Sequence, residues 1–383
     1  PFLFHNGYTK NSLIKKVLKI SDDINPLVFL NQDLLTSLDQ IELVLSPKDL
    51  IHLKERKAQA IAEDYLSKKT ENPRSVELKY NGVSYKAKID LHGSIYSHWA
   101  DEKTSLAVKI NKKEDFPLGI YKFKLIVPHG RSYTAPLLAN AFFDALNYNK
   151  KPLLKLVNVK INSVNWGAYY LEENTSDNML DRIGLPNNFI VKQTDNWVED
   201  HKTNPFGVAY YHDHITPFIT EISNISSKYA MHSEVIIGAA HKLYTLINNS
   251  NFDKLGSILN LNDFAKYDAA LTLFGNSHDN AGDNLKLSYS LKEGKFSPIA
   301  RSEGVLLPLR IHGGSFAVTT ANFRGQPNPL FTALIQNKKY RILKYKRLNH
   351  LLINFDETFK KYTTDIETSN KIIFYDSSDP EDS

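Results

Sequence analysis

The chain has 383 residues, a formal net charge of +5 and no cysteine. The missing cysteine excludes disulfides, thiolate zinc sites and a cysteine nucleophile. Apolar residues make up 42% and charged residues 23%, a balance typical of a soluble globular protein, and the length suits two lobes better than one core. The modest positive charge permits phosphate or acidic partners. No dense Lys/Arg run with interleaved aromatics predicts nucleic-acid binding, and no segment has the length of a membrane span.

The first third of the chain is dominated by strand signals. After an N-terminal arm comes the strand IELVL and then a helix, for which Ser46 is a suitable N-cap and Pro47 a suitable first residue. Residues 75–127 alternate apolar and polar side chains, as half-buried strands do. Asn81-Gly82 lies between two such runs and is typical of a β-hairpin turn. This region predicts a twisted, antiparallel sheet.

Helix signals take over further along the chain. Residues 134–149 predict an amphipathic helix, and residues 153–174 predict a second hairpin. A strand, NFIVKQTDNW, begins at Asn188. From Glu234 onward the pattern is mostly helical, with a second helical region at 329–363. There is no P-loop and no dinucleotide-binding fingerprint.

The order of elements predicts an α+β chain in four parts. These are an N-terminal arm (1–38), a sheet-rich N-terminal lobe (39–200), a helical C-terminal lobe (201–370) and an acidic, disordered tail (371–383).

A polar loop in the helical half carries the most informative spacing. Asp279 and Asn284 lie five residues apart, the spacing that protein kinases use to orient a substrate hydroxyl and to hold a magnesium ion. A strand pair follows and ends at Ser302-Glu303-Gly304, where a kinase carries its second metal-binding acid. The alternative interpretation is a polar loop whose Asp and Asn side chains cap turns.

Five stretches, in order, resemble the spore-coat protein H (CotH) kinase family. They are KIDLHGSIYSHWADEKTSLAVKI, FPLGIYKFKLIVPHGRSYTAPLLANAFFDAL, VNVKINSVNWGAYYLEEN, NFIVKQTDNW and the segment from Leu271 to Gly304. The resemblance spans roughly residues 40 to 305. It implies a two-lobed, atypical protein-kinase-like fold and an extracytoplasmic or cell-surface location. It also implies ATP- and Mg²⁺-dependent phosphorylation, with Mn²⁺ as an alternative metal, of Ser or Thr on a partner protein.

The resemblance also assigns roles to the polar loop and its surroundings. Asp279 would be the catalytic acid/base residue and Asn284 a metal ligand. Family members carry an Asp where Ser302 stands, and a neutral hydroxyl is a weaker magnesium ligand than a carboxylate. Glu303 is the neighbouring candidate ligand. The second hypothesis is therefore a pseudokinase, a nucleotide-binding or scaffold module that keeps the fold without transfer.

The first half supplies candidates for binding the nucleotide. Lys109 in LAVKI and Lys192 in FIVKQ are candidates for the lysine that contacts the phosphates. Glu172 or Glu173 is the candidate for the acid that pairs with this lysine. The alternatives are an exposed lysine on an edge strand and a strand-end acid that faces water.

A short turn is the remaining candidate site. The backbone N–H groups of His92-Gly93-Ser94 are predicted to face a phosphate. The alternative interpretation is a plain turn at the end of a strand.

Overall fold

The computed structural model describes ten segments: 35–63, 65–67, 71–93, 98–99, 103–112, 114–131, 133–192, 232–274, 285–301 and 329–377. Over these segments the chain is a mixed α/β protein with two principal hydrophobic cores. One core lies inside a closed barrel, and the other lies between helices and a small second sheet. None of the described helices has the length and apolar character needed to cross a membrane.

Seven strands form the barrel, in the order β1-β2-β3-β4-β5-β7-β6. They are β1 (Asp39–Val44), β2 (Arg74–Tyr80), β3 (Val83–Leu91), β4 (Leu106–Ile110), β5 (Lys122–Ile126), β6 (Leu154–Ile161) and β7 (Val164–Glu173). Strand β1 closes the barrel, since it pairs antiparallel with β2 and parallel with β6. The expected antiparallel sheet is therefore a barrel with one parallel pair. Closure pairs both edges of this seven-stranded sheet with each other.

Local sequence explains the first strands and the helix between them. Asn81 and Gly82 both have positive φ, as a tight hairpin turn requires, so the predicted turn is confirmed. Helix α1 (Pro47–Glu63) begins where Ser46 Oγ accepts a hydrogen bond from the Asp49 N–H at 3.2 Å, which confirms the predicted cap.

The second unit consists mainly of helices around a three-stranded antiparallel sheet of order β10-β9-β8. Its strands are β8 (Asn188–Lys192), β9 (Lys286–Ser290) and β10 (Lys295–Ile299). The described helices after α1 are α2 (Ala135–Ala145), α3 (Asp177–Arg182), α4 (Ser233–Asn248), α5 (Leu261–Phe274), α6 (Pro329–Gln336), α7 (Lys338–Ile353) and α8 (Phe355–Ser377). Strand β8, predicted as part of the first lobe, pairs instead with β9. Phe189 and Val191 explain this placement, because both are buried in the helical core.

The last helix ties the helical unit to the barrel. Helix α8 continues through Ser377, past residue 371, where the sequence predicted an acidic tail. Ile372 and Ile373 are buried against Ile126 and Tyr170 on the outside of the barrel. This apolar contact extends the helix beyond the predicted boundary. Residues 378–383 of the predicted tail lie outside the described residues.

Candidate functional site

A buried ion pair lies on the outer face of the barrel. Phe123 and Leu125 of β5 point into the barrel core, so Lys124 between them points outward. On the neighbouring strand β7, Glu172 also points outward and is paired in register with Lys124. Lys124 Nζ lies 2.6 Å from Glu172 Oε1, and the Glu172 side chain is almost fully buried. Burial makes this pair unlike the exposed lysines elsewhere on the barrel surface.

Two arginines join the pair from different parts of the fold. Arg131 belongs to a 3-10 helix (Pro128–Arg131) that follows β5, and its guanidinium donates to Glu172 Oε2 at 3.3 Å. Burial is the largest influence on the pKa of Lys124 and of Glu172, and the charge of Arg301, which follows β10, is a smaller one that lowers both. The Ala300 N–H donates to the Lys150 carbonyl at 2.8 Å, which links this end of the second sheet to the segment that leads into β6 of the barrel. The cluster therefore lies where the two units meet.

Two histidines, His92 and His98, lie next to the charged cluster. The rings of His92 and His98 lie 5.5 Å apart, edge to face. His98 is buried, and its Nδ1 lies 3.2 Å from Ser105 Oγ. Gly93 has a φ of +93°, and its carbonyl accepts a hydrogen bond from Trp99 Nε1 at 3.1 Å. The predicted His92-Gly93 turn is thus beside Lys124 and Arg131, whose charges act on both histidines.

The electrostatics of the cluster follow from burial next to cations. Burial alone would raise the pKa of Glu172, but Lys124 and Arg131 outweigh that effect and hold it well below its usual range. Burial lowers the pKa of Lys124, although the attraction of the Glu172 carboxylate opposes this effect. Burial, together with the nearby Arg131 and Lys124, lowers the pKa of His98 to about 3 and holds that of His92 well below its usual range. At neutral pH the cluster therefore combines the ionised Glu172 carboxylate and the Arg131 guanidinium with neutral imidazoles.

The predicted glutamates are buried, so the alternative of acids that face water is wrong. Glu172 pairs with a lysine as expected, but the lysine is Lys124. Glu173 instead pairs with Arg182 of α3 and accepts a hydrogen bond from the Leu153 N–H at 2.9 Å. Glu173 is therefore a structural link between β7, α3 and the start of β6.

The other predicted residues fall outside this cluster or outside the described structure. Lys109 is exposed on β4 and is paired in register with Lys122. Lys192 ends β8, and its side chain is not among those described. Five predicted site residues lie outside the described residues: Ser94, Asp279, Asn284, Ser302 and Glu303.

Sequence reasoning missed Lys124, Arg131 and Arg301. The stretch YKFKLIV places Lys122 and Lys124 on one face of a strand, so alternation alone does not separate the exposed Lys122 from the partly buried Lys124. Both Lys124 and Arg131 lie in FPLGIYKFKLIVPHGRSYTAPLLANAFFDAL, one of the stretches that resemble the CotH family, and that resemblance could have pointed to them. Arg301 directly precedes Ser302, the position at which a metal ligand was expected.

We expect the histidines to make the protein less stable in mild acid. Because the folded-state pKa of His98 is about 3 and the ordinary value is 6.5, the unfolded chain takes up a proton that the folded chain refuses between these values. Stability is therefore lost as pH falls through this window. Replacing His98 by Asn should reduce the slope of the unfolding free energy by about 1 kcal/mol per pH unit between pH 6 and 5, measured by urea denaturation.

His241 supplies the matched control, because it is exposed on α4. We expect the His241→Asn variant to keep the wild-type slope. An equal slope in wild type and His98→Asn would contradict the burial of a neutral His98.

Within the described segments, no group of three or more His, Asp or Glu side chains could hold a metal ion. The basic side chains of the described site, Lys124, Arg131 and Arg301, are suitable partners for an anion. Comparison of the chain with protein-family models and with curated proteins finds no match.

Proposed function

We propose that this chain is an atypical, CotH-like kinase that transfers a phosphoryl group from ATP to Ser or Thr of a partner protein. The observation that carries the proposal is the largely buried Lys124–Glu172 pair at the junction of the barrel and the second unit, with Arg131 bound to the same carboxylate and the charge of Arg301 acting on it. A lysine held by a glutamate is how protein kinases position a cation on nucleotide phosphates. In this proposal Lys124 takes the role that the sequence suggested for Lys109 or Lys192.

The chemistry of the cluster supports a phosphate ligand. Arginine binds phosphate oxygens through its planar fork, and lysine binds them as a compact charge. Glu172 holds Lys124 and Arg131 in place through one carboxylate, so the cations are arranged before a ligand arrives. Burial strengthens each of these interactions, because the local dielectric is lower than in water.

The topology of the second sheet supports a nucleotide site at the same place. Leu285 precedes β9, Arg301 follows β10, and Lys286 is paired in register with Ile299. The start of β9 and the end of β10 therefore lie next to each other at the same end of the sheet. The proposed metal ligands Asn284 and Ser302 are the next residues in sequence beyond these ends.

The proposed reaction needs little covalent chemistry from the protein. The substrate hydroxyl oxygen forms a bond to the γ-phosphorus as the bond to the leaving oxygen of ADP breaks, and Asp279 accepts the hydroxyl proton. Lys124, Arg131 and Arg301 would orient the phosphates and balance the charge on the leaving group. Asn284, with Ser302 or Glu303, would hold Mg²⁺, whose charge would supply further neutralisation of the phosphates.

Phosphoryl transfer tests the proposed activity. With ATP labelled on its γ-phosphate, and with casein and the protein itself as acceptors, we expect Asp279→Ala to abolish labelling. A carboxylate is a stronger magnesium ligand than a hydroxyl. Ser302→Asp should therefore raise Mg²⁺-dependent labelling about tenfold, the effect of ~1.4 kcal/mol.

The labelling results distinguish a kinase from a pseudokinase. The neutral Ser302 side chain favours the pseudokinase. Equal labelling by wild type and Asp279→Ala would contradict the assignment of Asp279. A wild type that binds nucleotide but labels nothing, in every metal tested, would support the nucleotide-binding scaffold instead.

A further inference from the structure

Three basic side chains from distant segments of the chain converge on the start of helix α5. Lys266 lies on α5 itself, Lys150 precedes β6, and Arg347 belongs to α7. Asn262 and Asp263, at the start of α5, are their neighbours. Because residues three and four apart share one side of a helix, Asn262, Asp263 and Lys266 lie on the same side of α5. We call Lys150, Lys266 and Arg347 the α5 basic cluster.

The carboxylate of Asp263 is engaged by two of its neighbours. Lys150 Nζ lies 2.6 Å from Asp263 Oδ2, and Ser297 Oγ donates a hydrogen bond to the same oxygen at 2.9 Å. Lys150 Nζ also donates to Ser297 Oγ at 2.9 Å. Asp263 therefore balances the charge of Lys150.

The other two cations contact neutral groups. Lys266 Nζ donates to the Asn147 carbonyl at 3.2 Å, and Arg347 Nη2 donates to Asn262 Oδ1 at 2.9 Å. Within the described segments, neither Lys266 nor Arg347 forms an ion pair with an Asp or Glu side chain. The buried Nε of Arg347 also has no hydrogen-bond acceptor among the described residues. The cluster thus carries more positive charge than its described neighbours balance.

The same pair of helices treats another lysine differently. Lys344 lies one turn before Arg347 on α7 and is fully buried, with its Nζ 2.7 Å from Asp268 Oδ2 of α5. Tyr340 donates a hydrogen bond to the same carboxylate oxygen. The fold therefore supplies a carboxylate where it buries a lysine between α5 and α7. Arg347 meets the amide of Asn262 instead, which leaves its charge available to a ligand.

The charges of the α5 basic cluster act on one another. Burial lowers the pKa of Lys266, the attraction of Asp263 opposes this effect, and the charges of Arg347 and Lys150 lower the pKa further. Such repulsion between like charges destabilises the folded chain, whereas a bound anion would attract each of these cations. Lys266 and Arg347 are both partly exposed, so an anion can reach them from solvent.

We propose that the α5 basic cluster binds a phosphate group, supplied either by inorganic phosphate or by a phosphorylated residue. Arginine binds phosphate oxygens through its planar fork, and lysine binds them as a compact charge. A phosphate monoester carries a charge of about −2 near neutral pH, which matches the two cations that Asp263 does not balance. The cluster shares no residue with the proposed nucleotide site, and the proposal does not depend on phosphoryl transfer.

Calorimetric titration with sodium phosphate, at neutral pH and constant ionic strength, tests the site. We expect wild type to bind phosphate, and the double variant Lys266→Gln with Arg347→Gln to bind it at this cluster about tenfold more weakly or not at all. If the double variant does not fold, Lys266→Gln alone serves, since it removes only a partly exposed lysine. The matched control is Lys242→Gln, which removes an exposed lysine from α4 and should leave phosphate binding unchanged.

The Lys124→Met variant separates this cluster from the proposed nucleotide site. We expect folded Lys124→Met to keep the phosphate binding that Lys266→Gln loses. Loss of all phosphate binding in folded Lys124→Met would overturn the inference and leave the nucleotide site standing. An absence of phosphate binding to wild type, or equal binding by wild type and the Lys266→Gln variants, would also overturn it.

A phosphoserine flanked by glycines, as a short peptide, distinguishes the two sources of phosphate. Tighter binding of this peptide than of inorganic phosphate assigns the cluster to a phosphorylated protein segment, and weaker or equal binding assigns it to the free ion. The same peptide without its phosphate is the control. Binding of the unphosphorylated peptide with equal affinity would overturn the phosphate assignment.

Discussion

Replacing Gly93 by alanine is expected to lower the free energy of unfolding by roughly 3 kcal/mol or more. Two effects add at this position. The φ of +93° lies in the left-handed region, which costs an L-residue about 1–2 kcal/mol. A Cβ atom would also lie 2.2 Å from His98 Cγ, a distance at which the buried ring must move, and overpacking costs about 1–3 kcal/mol. Urea denaturation measures the loss.

Gly82 separates the two effects. It has a similar φ of +86°, but no heavy atom lies within 4 Å of a Cβ added there. Gly82→Ala should therefore cost only the backbone strain, about 1 kcal/mol. If Gly93→Ala costs no more than Gly82→Ala, then His98 does not pack against Gly93 as described here.

Local elements of this fold were predictable because the signals lie within a few residues. Asn81-Gly82 specifies a tight turn by its backbone preferences, and Ser46 specifies a helix start by its hydroxyl. The closed barrel was not predictable in the same way. Closure depends on the pairing of β1 with β6, whose partners Asp39 and Val157 are far apart in sequence.

The candidate site was likewise predictable only in its local features. Glu172 was predictable as an acid that pairs with a lysine, but Lys109 and Lys124 both sit in strands with similar alternation. What distinguishes Lys124 from Lys109 is its surroundings: Lys124 pairs with Glu172, Arg131 contacts the same carboxylate, and the charges of Arg131 and Arg301 act on Lys124. These partners come from segments that are distant in sequence, so the alternation within one strand does not predict them.

Replacing Lys124 by methionine is expected to weaken Mg·ATP binding by at least 100-fold, or about 3 kcal/mol. Methionine keeps much of the side-chain length but removes the cation proposed to contact the phosphates. The change also leaves Glu172 with one basic partner fewer, and breaking a buried pair can cost about 3–5 kcal/mol of stability. The double variant Lys124→Met with Glu172→Gln removes one charge of each sign. It should recover stability without recovering nucleotide binding.

Calorimetric titration of Mg·ATP into wild type and these variants tests the central claim most directly, namely that Lys124 and its partners form a nucleotide phosphate site. The control is Lys122→Met, which removes an exposed lysine from the same face of β5. The proposed site predicts binding by wild type and Lys122→Met, with none detected for folded Lys124→Met or for the double variant. Wild-type affinity in folded Lys124→Met, or no binding to wild type at millimolar nucleotide, would contradict it.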